Sequence, residues 1–107
     1  MRLCALAEIA DPGAKGLVFR AGDALFLGFV VRVGDTVFGY VDRCPHAGFP
    51  LANLEGRYLT REGDLILCAA HAALFRRGDG VCIAGPCAGR ALSPWPVRVA
   101  DGMVLTA

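Results

Sequence analysis

The sequence has neither a long apolar run nor an excess of charge of one sign, and each absence excludes a class of function. Glu8 and Asp11 interrupt the short apolar start before it reaches the length of a signal-peptide core. No later apolar run approaches the roughly 18 residues that a membrane span requires. The 11 basic and 10 acidic residues leave a formal net charge of +1, so no strong field exists to hold nucleic acid or an anionic membrane. We therefore expect a cytoplasmic protein with neither of these partners.

Patterns of helical period are also scarce. Fourteen glycines and six prolines interrupt the chain, and "LANLEGRYL" from Leu51 has room for one or two helical turns at most before Gly56. The sequence shows no repeat of fixed period, no low-complexity tract and no linker. With 107 residues and 55% hydrophobic content, we expect a single domain over residues 1–107 that buries its own core.

Strand patterns separated by turn residues are what the sequence contains instead. Ala24 to Val33 and Thr36 to Val41 are rich in β-branched and aromatic side chains. Between them lies Gly34-Asp35, whose leading glycine suits a type II′ hairpin turn. Near the end, "WPVRVA" and "MVLTA" flank Asp101-Gly102, which predicts a second hairpin.

Two shorter strands are predicted between the hairpins. These are "DLILC" from Asp64 and "AALFRR" from Ala72, with breaks at 61–63 and 78–80. Together the two hairpins and the two shorter strands predict an all-β fold, a small sandwich or barrel.

The chain has only two histidines, and each stands near a cysteine. One residue separates Cys44 from His46, and two residues separate Cys68 from His71. Because both pairs follow strand-like runs, we expect them in loops at strand ends, where two loops can face each other. Two thiolates and two imidazoles are a full ligand set for either a tetrahedral zinc or an iron–sulfur cluster. One thiol and one imidazole per loop favour a centre with two metal atoms.

The remaining cysteines carry no such pattern. Five cysteines is an odd number, and without a secretory signal a disulfide framework explains them poorly. Cys4, Cys82 and Cys87 are therefore predicted to be small buried apolar residues, with their roles open.

Both Cys/His pairs resemble the ligand boxes of one family. Cys44-Pro45-His46 and Cys68-Ala69-Ala70-His71 are similar to the paired C-x-H and C-x-x-H boxes of Rieske-type [2Fe–2S] proteins. Among these, the chain resembles the small ferredoxins of ring-hydroxylating dioxygenases and the small subunits of nitrite reductases. Gly85-Pro86-Cys87 matches the Gly-Pro loop that covers the cluster in this family.

This resemblance implies a cofactor and a set of ligands. The cofactor would be a [2Fe–2S] cluster at one tip of a small β-sandwich or barrel, in a subdomain formed by the two ligand loops. Cys44 and Cys68 would bind the inner iron through sulfur, and His46 and His71 would bind the outer iron through Nδ1.

Departures from the family pattern indicate its low-potential, ferredoxin-like branch. High-potential relatives have an extra disulfide between the ligand loops, where this chain has Phe49 and Ala70. The same relatives have serine and tyrosine hydroxyls bonded to cluster sulfurs, where this chain has Ala73 and Phe75.

The function implied by the resemblance is electron transfer without catalysis. The chain would take one electron from a flavin- or NAD(P)H-dependent reductase and pass it to a terminal oxygenase or reductase. A Rieske oxygenase also needs a mononuclear iron held by two further histidines and a carboxylate, and no histidine remains beyond His46 and His71. Two alternatives stay open: a small subunit of a nitrite reductase, and a non-redox module in which zinc or the cluster staples a partner-binding fold.

Overall fold

The computed structural model describes residues 1–45, 51, 57–68 and 72–107. Within these ranges the chain forms one 3-10 turn, Leu6–Glu8, and nine β-strands: β1 (Arg2–Ala5), β2 (Gly13–Ala21), β3 (Ala24–Val33), β4 (Thr36–Val41), β5 (Leu65–Cys68), β6 (Ala73–Arg76), β7 (Cys82–Ala84), β8 (Val97–Ala100) and β9 (Met103–Thr106). The all-β prediction is confirmed. In the described ranges, no helix has the length and apolarity needed to cross a membrane.

The strands form three antiparallel sheets of three strands each. The terminal sheet has the order β1-β9-β8, the middle sheet β2-β3-β4, and the thiol sheet β5-β6-β7. Among the strands that the structure describes, only those of the terminal sheet come from both ends of the sequence, because β1 pairs with β9.

Both hairpins predicted from turn residues are present. Val33 pairs with Thr36 across Gly34-Asp35, and Gly34 has a φ of +64°, as the first position of a type II′ turn requires. In the second hairpin, Ala100 pairs with Met103. Asp101 and Gly102 there have φ angles of 51° and 72°, the two positive values of a type I′ turn.

The sequence analysis missed strands β1, β2 and β7, of which β2 is the longest. Strand β2 pairs with β3 residue by residue, from Gly13 opposite Arg32 to Ala21 opposite Ala24. Its glycines weaken the strand pattern in the sequence. At position 16 the glycine is explained by tertiary packing, since a Cβ there would collide with the hydroxyl oxygen of Tyr58. The one or two helical turns predicted from Leu51 fall largely on residues 52–56, which lie outside the described residues.

Strand β3 separates two hydrophobic cores because successive side chains point to opposite faces of a sheet. Phe29 and Val31 face one core, and Val30 faces the other. The first, here called the thiol core, lies against the thiol sheet and contains Phe29, Val31, Tyr40, Cys44, Leu51, Tyr58, Ile66, Cys68, Ala73, Phe75, Cys82, Cys87 and Leu92. The second, here called the aliphatic core, lies against the terminal sheet and contains Cys4, Ile9, Val30, Val37 and Val104.

Candidate metal centre

The two predicted thiol ligands lie together in the thiol core. Cys44 follows strand β4 by three residues, and Cys68 is the last residue of β5. Their exposed fractions are 1% and 0%, and both belong to one packed cluster of buried residues. Two thiols from separate strand ends, shielded from water, fit the sulfur half of an iron–sulfur ligand set.

The predicted imidazole ligands fall outside the described residues. His46 and His71 both lie there, as do Phe49 and Ala70. Among the residues that are described, no three or more His, Cys, Asp or Glu side chains converge as a metal site would require. The four-residue ligand set therefore remains a prediction.

Asp42 closes the loop that carries Cys44. This carboxylate is 7% exposed, and its two oxygens accept separate hydrogen bonds at 2.8 Å, one from the backbone N–H of Leu51 and one from the hydroxyl of Tyr58. A buried carboxylate is costly unless it is paired or hydrogen-bonded. Because Asp42 and Leu51 lie on either side of residues 43–50, the Leu51 bond holds the two ends of the first ligand loop together.

Tyr58 connects the first ligand loop to the strand that ends in Cys68. Its hydroxyl donates to Asp42, and its backbone carbonyl accepts a 2.8 Å hydrogen bond from the N–H of Leu67 in β5. The ring stacks on Phe29, with centroids 4.6 Å apart and planes 14° apart. Burial, followed by the hydrogen bond to Asp42 and its negative charge, raises the pKa of Tyr58 well above its ordinary value.

Sequence reasoning missed both Asp42 and Tyr58. A usable signal existed for Asp42, because an aspartate that follows an apolar strand and precedes a ligand box by two residues has to be accommodated next to the site. No comparable signal marks Tyr58, since its role depends on contacts made 16 residues away.

The Gly-Pro loop packs against both ligand loops. A Cβ on Gly85, whose φ is +98°, would lie 2.8 Å from the Cα of Ala73, so only glycine allows this approach. Further along, Nη1 of Arg90 donates to the carbonyl of Pro45 at 3.2 Å. The sequence-based placement of this loop over the candidate site is consistent with these two contacts.

Ala73 and Phe75, at the positions where high-potential relatives have hydroxyls, lie in the thiol core. Both are fully buried in the thiol core with Cys44 and Cys68, and they occupy alternate positions of β6, so they share one face. Neither side chain can donate a hydrogen bond to a sulfur.

The other three cysteines are buried, as predicted, and none of the five forms a disulfide. Cys4 lies in the aliphatic core. Cys82 and Cys87 lie in the thiol core, with their sulfurs 3.0 Å apart. Burial, followed by the hydrogen bond with Cys82, the charge of Cys82 and that of Cys44, raises the pKa of Cys87 to about 12.

The arginines near the ligand loops mostly have partners within the chain. Arg76 forms an exposed ion pair with Asp79, and Nη1 of Arg77 donates to the carbonyl of Gly63 at 3.0 Å. Together with the bond from Arg90 to Pro45, these contacts give Arg76, Arg77 and Arg90 partners within the chain.

Comparison with known proteins identifies a family for this chain. The family model for the Rieske [2Fe-2S] domain matches residues 1–100. Among curated proteins, no match to the chain was found.

Solved structures of ferredoxins match along almost the whole chain. A chain of the complex of reduced oxygenase and oxidized ferredoxin in carbazole 1,9a-dioxygenase is 29% identical with a TM-score of 0.76, and the match covers 100% of this chain and 91% of that one. The ferredoxin of carbazole 1,9a-dioxygenase from Nocardioides aromaticivorans IC177 is 25% identical with a TM-score of 0.74, covering 100% and 95%. The Sphingomonas yanoikuyae B1 ferredoxin is 25% identical with a TM-score of 0.71, covering 99% and 95%.

Proposed function

Because the chain belongs to the Rieske [2Fe-2S] domain family, we propose that it is a one-electron carrier whose cluster is held by Cys44, His46, Cys68 and His71. The [2Fe–2S] cluster is the cofactor of this family. The observation that carries the ligand assignment is the burial of Cys44 and Cys68 in one cluster of residues at the ends of separate segments. When bound, the cluster supplies a centre that accepts and releases a single electron.

The chain's own residues determine how readily that centre is reduced. Two thiolates and two neutral imidazoles add less negative charge than four thiolates would, which raises the reduction potential relative to a ferredoxin with cysteine ligands alone. Asp42 and Tyr58 hold the first ligand loop against β5. Gly85 brings the Gly-Pro loop onto Ala73, which belongs to the same buried core as Cys44 and Cys68.

The partners we propose are a flavin- or NAD(P)H-dependent reductase as donor and a terminal oxygenase as acceptor. The support is the 29% identical relative, which comes from a complex of an oxygenase with a ferredoxin and is covered over 91% of its length. No catalytic activity of its own is proposed, because both histidines are assigned to the cluster.

Metal and sulfide analysis tests the cofactor and its cysteine ligands. The purified protein should contain about two irons and two acid-labile sulfides per chain and give the rhombic resonance of a reduced Rieske centre. Cys44→Ser and Cys68→Ser should lose most of this iron and sulfide. Cys4→Ser is the matched control, because Cys4 is also buried but lies in the aliphatic core.

One zinc per chain with no sulfide would refute the cluster. If His46→Ala and His71→Ala both kept the Rieske resonance, the assignment of the two imidazoles as ligands would be refuted.

Electron transfer to candidate partners tests the carrier role. A reductase of a ring-hydroxylating dioxygenase should bleach the oxidised protein in the presence of its nicotinamide, and mixing with a terminal oxygenase should restore the colour. If the reduced protein were reoxidised by a nitrite reductase large subunit and not by the oxygenase, the proposal of an oxygenase as acceptor would be contradicted.

A further inference from the structure

Cys82 and Cys87 form a close pair of buried thiols that the electron-carrier role does not use. Their exposed fractions are 2% and 1%. The Cys87 thiol donates a hydrogen bond to the sulfur of Cys82 at 3.0 Å, and the Cys82 thiol donates to the carbonyl of Ala84 at 3.1 Å. A chance pair of buried cysteines need not be in contact, whereas these two are hydrogen-bonded to each other.

The backbone holds the two thiols in this relation. The N–H of Cys82 donates to the carbonyl of Arg90 at 2.7 Å, and the N–H of Gly89 donates to the carbonyl of Cys82 at 3.1 Å. Strand β7 is therefore tied to the chain that follows Cys87. A disulfide bond is about 2.05 Å long, so the sulfurs, now 3.0 Å apart, need to approach by about 1 Å.

We propose that Cys82 and Cys87 are a reversible dithiol–disulfide pair that locks the Gly-Pro loop. The oxidant is a low-molecular-weight disulfide, RSSR. A thiolate of the pair attacks one sulfur of RSSR, forming a mixed disulfide and releasing the first RS⁻, and the second thiolate then attacks the mixed disulfide and releases the other. Overall, two protein thiols and one RSSR become one protein disulfide and two RSH, so two electrons and two protons pass to the small molecule.

Access to the pair requires only the turn that carries Cys87 to open. Pro86, Ala88 and Gly89 on either side of Cys87 are exposed. Three backbone hydrogen bonds hold the turn: the N–H of Ala88 donates to the carbonyl of Gly85 at 3.2 Å, that of Arg90 to Cys87 at 2.9 Å, and that of Gly89 to Cys82 at 3.1 Å. Burial of the thiols makes the exchange slow in the closed state, and short-lived opening of this turn sets its rate.

The disulfide would restrain the loop at the point where it contacts the ligand loops. Gly85 packs on Ala73 and Arg90 bonds to Pro45; a Cys82–Cys87 bond would enclose Gly85 in its ring and end three residues before Arg90. Oxidation should therefore reduce opening of the loop over the site without any change in the ligands.

Peptide analysis of the intact protein tests the proposal. The purified protein is equilibrated with mixtures of oxidised and reduced glutathione, its remaining thiols are blocked with a maleimide, and the chain is cleaved after arginine. Cleavage after Arg77 and Arg90 places both cysteines of the pair in the peptide 78–90, whereas Cys4, Cys44 and Cys68 fall in three other peptides.

The expected product is a peptide 78–90 that is lighter by two hydrogens and carries no maleimide. Its ratio to the doubly blocked peptide should rise in proportion to [GSSG]/[GSH]², as a two-electron exchange requires. Hydrogen exchange at Ala88 and Gly89 should slow in the oxidised form. Exchange at Gly63, whose N–H is bonded to Thr60 in a separate turn, should not change.

Single variants supply the controls. Cys82→Ala and Cys87→Ala should each abolish the peptide disulfide and the slowed exchange, whereas Cys4→Ala should leave both intact. Two separate glutathione adducts on the peptide, no oxidation at any buffer ratio, or a cross-link from Cys87 to Cys44 would each overturn the proposal. The readout is the state of the thiols, so it succeeds or fails independently of the iron and sulfide measurements.

Discussion

The two faces of the middle sheet differ in chemistry although the same strand supplies both. On one face, the aliphatic core contains one cysteine among branched aliphatic residues and no hydrogen-bonded hydroxyl. On the other, the thiol core holds the other four cysteines and two tyrosines and borders the buried carboxylate of Asp42. Alternation along β3 thus separates an apolar core from the polar groups of the site.

Neighbouring substitutions in β3 give the largest expected effect. Phe29→Ala should lower the free energy of unfolding by about 3–5 kcal/mol, because it removes a fully buried ring that stacks on Tyr58. Val30→Ala should cost less, because fewer carbons are removed from the opposite face. Urea unfolding measures the cost, and iron per folded chain should fall only in Phe29→Ala. Equal loss of iron in both variants would show that the two cores do not act separately.

Alkaline pH should affect the thiol core first. Burial, followed by the charge of Asp79, raises the pKa of Tyr40 to about 12, against about 10 in an unfolded chain. The folded state therefore keeps the Tyr40 hydroxyl protonated to a higher pH than the unfolded chain does. The contribution of this group to stability is fully present below about pH 10 and is lost as the pH rises towards 12. Hydrogen exchange in β5–β7 should accelerate in this range before exchange in β8 and β9.

Tyr40→Phe should make the alkaline loss of stability shallower. An unchanged slope in this variant would contradict the assignment of the loss to Tyr40.

Removal of one hydroxyl tests the link between the ligand loops. Tyr58→Phe should cost about 1–3 kcal/mol, because it leaves a buried carboxylate oxygen of Asp42 without its donor. Tyr40→Phe is the matched control, since its hydroxyl donates to the backbone carbonyl of Arg77 at 2.6 Å and its loss should cost about 0.5–1.5 kcal/mol. Only Tyr58→Phe should speed the release of iron to a chelator. Equal release from both variants would argue against a role of the Tyr58–Asp42 hydrogen bond in holding the ligand loop.

Added hydroxyls on β6 should shift the reduction potential by tens of millivolts. The wild-type midpoint should lie near the lower end of the Rieske range of roughly −150 to +300 mV, because Ala73 and Phe75 offer no hydrogen bond to sulfur. Ala73→Ser with Phe75→Tyr should raise it, since one hydrogen bond is worth about 1 kcal/mol. Redox titration with an intact visible spectrum is the measurement. A wild-type midpoint well above zero would contradict the low-potential assignment.

The smallest effect is expected outside both cores. Asp79→Asn removes the ion pair between Asp79 and Arg76. Both side chains are about half exposed, Asp79 at 51% and Arg76 at 54%. The backbone N–H of Val81, followed by Arg76, lowers the pKa of Asp79, so its contribution is present above the ordinary carboxylate range and is lost as the pH falls through the lowered value. The variant should be barely less stable, and salt should remove the difference. A large effect would mean that this turn supports the thiol core.

The fold was predictable from sequence where structure depends on adjacent residues. Gly34-Asp35 and Asp101-Gly102 specify their hairpins because positive φ angles are a property of the turn residues themselves. The strands ending at Cys68 and beginning at Ala73 were predictable for a similar reason, since short apolar runs bounded by breaks need no distant partner to be recognised. Strand β2 was not predictable, because Gly16 is there to make room for Tyr58.

The candidate site divides in the same way. The sequence by itself determined the two Cys/His boxes, because ligand spacing within a loop is local, and with them the family. The single-domain extent and the two imidazole ligands remain predictions. Only the tertiary structure decided that Asp42 bonds to Tyr58 and that Cys82 contacts Cys87. Hydrogen bonds and packing between segments depend on how the other two sheets pack on the two faces of β3. This packing is determined by the whole chain and cannot be derived from any single stretch of it.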